Sequence, residues 1–177
     1  MGKTKPHLPV KLIAAITITA TELWKDVKNK LELLYSPIDC AMDWYDFTHT
    51  DYYKPEMGEN LIKRMVAFEK LISAEILSQI KLTTNDLEDR YAIEGKRQVN
   101  IDPGYICPPK LVLATTKDFA HRIYLDKGIF GDIHLKYVKQ HFQPQEWTYP
   151  DYKEPAVLRF FEKVREIHLL QLGGLAS

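Results

Sequence analysis

The chain has 177 residues, 45% hydrophobic and 27% charged, enough for one domain with a buried core. Its 24 Lys and Arg balance 24 Asp and Glu, which excludes a globally basic nucleic-acid binder and leaves no strong nucleic-acid signal. Two cysteines, Cys40 and Cys107, are too few for a disulfide scaffold or a structural zinc site, and no apolar run reaches the roughly 20 residues that span a bilayer.

Residues 10–20 are mostly apolar after a weakly basic start, which superficially suggests a signal peptide. Lys11 interrupts the run, and Ile18 and Ala20 do not make a small-x-small cleavage site. The expectation is a buried strand over residues 11–18 in a cytoplasmic protein with reduced thiols and no membrane partner. Thr19-Ala20-Thr21-Glu22 has the capping-box pattern. Leu23, Trp24, Val27, Leu31 and Leu34 follow at helical spacing, predicting a helix to about residue 35 that Ser36-Pro37 stops. Residues 38–48 read as a strand entering a polar, aromatic loop, and residues 61–71 as another strand. Ser73 opens a helical stretch through Ile80, and Thr84 caps a further helix containing Leu87 and Tyr91.

In the second half, residues 98–102 read as short and extended, and Asp102-Pro103-Gly104 as a turn. Residues 110–116 are apolar on both faces, which places them inside the sheet. Residues 121–125 and 129–138 form a hairpin around Asp126-Lys127-Gly128. A closing helix runs from about residue 155 to 172, and Gly173 ends it. The order predicts one α+β domain over residues 1–177, with a mixed or antiparallel sheet and flexible ends at 1–9 and 173–177. Its β-α-β-β-α-β opening has the ferredoxin-like pattern.

Some polar residues are hard to explain by packing. Arg64 lies on an otherwise apolar strand face and needs a carboxylate, an anionic ligand or a strand end in solvent. The acidic, aromatic segment 39–59 includes Asp51, Tyr53 and Glu56. It either supplies oxygen ligands to Mg²⁺ through Asp51 or Glu56, or forms an exposed loop whose rings cover the sheet edge. In the segment 97–105, alternation puts Arg97 with Val99 and Ile101, while Asn100 and Asp102 point to the other side. An Asn and an Asp beside a glycine suit a ligand pocket and equally suit turn capping. Lys117, at the end of the 110–116 strand, suits a phosphate or carboxylate contact as well as plain solvation. No Walker loop is present, so a P-loop mechanism is excluded. Across the hairpin Arg122 faces Asp132 as a structural ion pair, leaving His121 as the acid-base or phosphate-contact candidate beside the bland reading of a structurally satisfied histidine.

Thr50-Asp51-Tyr52-Tyr53, Glu56-Met57-Gly58, Asn100-Ile101-Asp102-Pro103-Gly104-Tyr105, residues 110–118, His121-Arg122-Ile123-Tyr124 and residues 147–152 occur in order. With these motifs the chain resembles, over almost its whole length, a prokaryotic family catalogued as a domain of unknown function. The resemblance implies a single compact domain from a bacterial or archaeal cytoplasm, and it carries over no activity, substrate or catalytic residue.

The residues themselves favour an anionic small-molecule ligand, phosphorylated or nucleotide-like. Arg64, Arg97, Lys117 and His121 supply charge or donors, Asn100 and Asp102 polar contacts, and Tyr53 or Tyr105 a stacking face. In an enzyme, His121 and Asp102 would be acid-base partners. The alternatives are a non-catalytic module that docks protein or single-stranded RNA, and a homodimeric assembly protein joined through the C-terminal helix.

Overall fold

A computed structural model describes residues 2–48 and 54–175. In chain order these form β1 (Val10–Ile18), α1 (Leu23–Leu34), β2 (Ile38–Ala41), β3 (Tyr45–Asp46), α2 (Lys54–Met57), β4 (Ile62–Ile72) and α3 (Leu77–Asp89). There follow β5 (Val99–Cys107), β6 (Lys110–Thr115), β7 (Arg122–Asp126), β8 (Ile129–Val138), β9 (His141–Pro144) and α4 (Pro155–Leu175). Among the described residues one antiparallel sheet runs β2-β4-β1-β5-β6-β8-β7, with β3 beside β4 and β9 beside β8. The fold is α+β, and among the described residues no helix is long and apolar enough to cross a membrane.

The sheet is covered on both faces, and this is why β1 reads as a continuous apolar run. Its alternate residues Leu12, Ala14, Ile16 and Ile18 pack with Val27 and Leu31 of α1 and Ile80 and Leu87 of α3. Ile13 and Ala15 face the other way, into a core with Val157, Phe160, Phe161 and Val164 of α4. Lys11 breaks the apolar pattern yet is fully buried. Its ammonium donates to Asp39 at 2.7 Å, the Phe68 carbonyl at 2.9 Å and Gln171 Oε1 at 3.1 Å, so all three protons are used.

Several local expectations give way to tertiary contacts. The capping box does not form: Glu22 occupies the N-cap without a side-chain bond, and the Thr19 hydroxyl donates to Gln98 Oε1 at 2.9 Å. Thr84 lies inside α3, where its hydroxyl donates back to the Lys81 carbonyl. The strand expected over residues 38–48 is two short ones, and β9 carries no expectation at all. Gly173 does not end α4, which continues to Leu175.

The largest correction concerns Asp102-Pro103-Gly104, which is the middle of β5 and not a turn. Pro103 is tolerated because, among the described residues, β5 has only β1 as neighbour there, and the β6 pairing begins at Gly104. Gly104 is required by proximity: a Cβ would lie 2.4 Å from the Val112 carbonyl oxygen. The hairpin register, by contrast, pairs Arg122 with Asp132 and Ile123 with Gly131, as its sequence implies.

Candidate functional site

β5 and β6 pair only from Gly104 with Leu113 to Cys107 with Lys110. Beyond Gly104 the strands part, and the opening is a fork in the sheet. Residues 99–103 of β5 then present one unpaired edge, whose buried backbone groups need other partners. α3 supplies them. The Ile101 N–H donates to Glu88 Oε1 at 2.8 Å, and Lys81 Nζ donates to the Ile101 carbonyl at 2.9 Å. Lys81, Asn85, Glu88 and Asp89 recur at helical spacing, forming one polar stripe on α3 that lines the fork, while Ile80 and Leu87 enter the core.

A connected charge network fills the floor of the fork. Lys81 Nζ lies 3.3 Å from Asp102 Oδ1 and 3.8 Å from Glu88 Oε1. Asn100 Nδ2 donates to Asp102 Oδ2 at 2.8 Å, and Arg97 Nη1 donates to Glu88 Oε2 at 3.0 Å and Asn100 Oδ1 at 3.1 Å. Arg97 Nε and Nη2 both donate to Glu56 Oε2. Above the network is a cleft of roughly 500 Å³, also lined by Thr115, Thr116 and Lys117 at the end of β6. Its lining holds four carboxylates (Glu56, Glu88, Asp89, Asp102) and three cations (Lys81, Arg97, Lys117).

The surroundings tune these groups in opposite directions. Burial alone would raise the Asp102 pKa, but the charges of Lys81 and Lys63 and the Asn100 hydrogen bond outweigh it and hold the carboxylate below its ordinary range. For Glu88, burial wins and the pKa is raised despite Lys81. Burial works against the Arg97 cation, yet its bonds to Glu56 and Glu88 prevail and raise its pKa.

A second polar cluster adjoins the fork on β7 and β8. Asp132 receives Arg122 Nε at 3.1 Å, and has His134 Nδ1 at 3.3 Å and His121 Nε2 at 3.4 Å. The Tyr149 N–H donates to His134 Nε2 at 3.0 Å, so the neutral ring carries its proton on Nδ1, toward Asp132. Burial lowers the His134 pKa. Arg122 also donates to the Lys117 carbonyl at 3.1 Å and the Tyr149 hydroxyl at 3.2 Å. It thereby braces the segment that forms one wall of the cleft.

The structure therefore brings together Arg97, Asn100, Asp102, Lys117 and Glu56 from the candidates named in the sequence. Arg97 is not on the face expected for it, because it precedes β5 and the strand alternation does not reach it. Arg64 lies elsewhere, donating to the Met42 carbonyl at 2.7 Å with its guanidinium 4.8 and 4.9 Å from the rings of Trp24 and Trp44. Tyr105 packs with Leu77, Val112 and Ala114 on the α3 face. His121 is stacked on Trp147, with centroids 4.7 Å apart, and its nearest carboxylate partner is Asp132 and not Asp102. Asp51 and Tyr53 lie outside the described residues. Among the described residues no group of three or more His, Cys, Asp or Glu is arranged to hold a metal ion.

A family model described as Domain of unknown function (DUF4416) matches residues 8–168, which takes in the whole sheet and both walls of the fork. The chain belongs to the DUF4416 family. Neither a curated protein nor a solved structure matches it. Lys81, Glu88 and His134 of this DUF4416 domain had no place among the sequence candidates. The signal for the first two was the stripe at 81, 85 and 88, which a helix start at Thr84 cuts in half. His134 looked like one more residue of an alternating strand.

Proposed function

We propose that this DUF4416 protein binds a small anionic molecule, phosphorylated or nucleotide-like, in the fork between β5 and β6. One observation carries the reading: a cleft of roughly 500 Å³ opens directly onto a side-chain network already locked by its own hydrogen bonds. That volume is typical of small-molecule sites, and a locked network lowers the ordering cost of binding. Arg97 and Lys117 supply positive charge in the lining, and Thr115, Thr116 and Asn85 supply neutral donors. The proposal stops at binding, because His121 and Asp102, the pair that would exchange a proton, have other partners in Asp132 and Lys81.

Thermal denaturation against inorganic phosphate and nucleoside mono-, di- and triphosphates, each with and without Mg²⁺, tests it. Stabilisation by at least one of them, lost in Arg97→Gln, is the expected result. No stabilisation at millimolar concentration by any member removes the reading.

A second reading, an interaction or assembly module, draws on the sheet edge. β7 ends the strand order, with Ile123 65% and Tyr124 58% exposed and Leu125 also on the surface. The end of α4 adds exposed Leu170 and Leu175 for the helix-mediated homodimer. Light scattering that shows only monomer at high concentration eliminates the dimer. We further propose a prokaryotic, cytoplasmic setting, which the free and buried Cys40 and Cys107 support. The β2-β4-β1-β5 half of the sheet is read as ferredoxin-like, a likeness that says nothing of function.

A further inference from the structure

The guanidinium of Arg97 is held differently on its two sides. Nη1 donates to Glu88 and Asn100, which are buried in the wall of the fork and fixed by further bonds to Ile101 and Asp102. Nε and Nη2 form the opposite edge, and both donate to a single oxygen of Glu56. The Glu56 side chain is 49% exposed, and among the described residues Arg97 is its only hydrogen-bond partner. One edge of the cation therefore belongs to the fold. The other is closed by a carboxylate that a rotamer change can withdraw.

We propose that the Nε/Nη2 edge of Arg97 is the oxyanion site of the fork, taking a carboxylate or a phosphate of the ligand, and that Glu56 occupies this edge until the ligand displaces it. The inference deepens the binding reading above and rests on it. A guanidinium edge presents two parallel donors that match two oxygens of a phosphate or carboxylate, whereas Glu56 offers them one shared oxygen. A ligand oxyanion thus makes the fuller set of bonds. The half-exposed pair it must break is weak, because water screens both partners. Charge points the same way. With Glu56 in place the lining has four carboxylates to three cations; with Glu56 withdrawn the numbers are equal, and an arriving monoanion restores the original balance. The exchange keeps Arg97 paired throughout, so no half-buried cation is left bare.

Calorimetric titration of the full chain with inorganic phosphate, and separately with acetate, tests the exchange. Glu56→Gln removes the competing charge without disturbing a buried group. If Glu56 closes the edge half of the time, this variant binds phosphate about twofold more tightly than the wild type. Arg97→Lys keeps the charge beside Glu88 but removes the two-donor edge, and the gain disappears in the Glu56→Gln/Arg97→Lys double variant. Phosphate binding without acetate binding assigns the edge to phosphate, and the converse assigns it to carboxylates. Equal affinity in wild type and Glu56→Gln, with both weakened by Arg97→Lys, overturns the displacement of Glu56 while leaving the fork as a binding site. No binding of either anion to any of these proteins overturns both.

Discussion

The same two strands, β5 and β6, behave in opposite ways on either side of Gly104. From residue 104 to 107 they are a tight antiparallel pair, with Ile106, Leu111 and Leu113 in the core and room for no side chain at Gly104. From residue 99 to 103 the partner strand is gone, and a lysine and a glutamate from α3 bond the exposed edge instead. Backbone pairing and apolar contact hold one end, while charged side chains hold the other. A charged network is a costly substitute for a ladder, since each ion gives up water. What it provides is an opening: the backbone edge is satisfied without a neighbouring strand, and the space that strand would fill is the cleft.

The contrast predicts a graded set of losses. At the closed end, Gly104→Val drives a side chain into the Val112 carbonyl, which as backbone cannot yield; denaturant unfolding should show a loss of about 4 kcal/mol. At the open end, Glu88→Ala deprives the Ile101 N–H of its acceptor and Lys81 and Arg97 of a buried countercharge, for a loss of about 3 kcal/mol. Glu88→Gln keeps an acceptor and loses only the charge, so its loss should fall between zero and that of Glu88→Ala. If Glu88→Ala costs no more than a surface substitution, the network does not stand in for the ladder and the contrast fails.

The response to acid is smaller and separates groups by sign. Burial lowers the pKa of His134, and of His168 in α4, below the ordinary 6.5. The stability each contributes is complete above pH 6.5 and is lost as the pH falls toward its lowered folded-state value. Asp102, with its pKa held below 3.8, loses its contribution only under that value, and Glu88, raised above 4.5, changes in the opposite sense as pH rises through its folded value. Melting temperature should therefore fall from pH 7 toward pH 5, and replacing both histidines by Gln should flatten that slope. The smallest effect belongs to Glu56→Gln, less than about 0.5 kcal/mol by thermal denaturation, because the pair it breaks is exposed. A double-mutant cycle should give Arg97 stronger coupling to Glu88 than to Glu56.

Which of these features the sequence discloses follows from their range. Period-two alternation placed Asn100 and Asp102 on one face, and the hairpin spacing paired Arg122 with Asp132, because both depend on residues a few positions apart. The fork depends on where β6 stops following β5, a property of three strands and a helix, and nothing in residues 99–104 alone reveals it. Asp, Pro and Gly are residue types that favour turns, which is why Asp102-Pro103-Gly104 carries a turn signal. Pro103 and Gly104 are instead explained by a missing neighbour on one side and a very close one on the other. Arg64 answered to the same logic, since an arginine on an apolar face proved to be seated between two indole rings and a carbonyl, partners 20 or more residues distant along the chain.

The position of β1 has a consequence for how the polypeptide is made. Residues 10–18 leave the ribosome ahead of the other described strands of this sheet, and every one of them ends up buried. Their two flanking strands end at Ile72 and Cys107, and the helix that covers one of their faces does not begin until Pro155. During synthesis a nine-residue, strongly β-prone segment therefore waits for residues 99–107 to supply its second neighbour and for residues 155–175 to supply its cover. Until then its apolar faces and unpaired edges stay open to wrong contacts. Lys11, the charge within it whose final partners include Gln171, helps keep the waiting strand from pairing with another copy of itself.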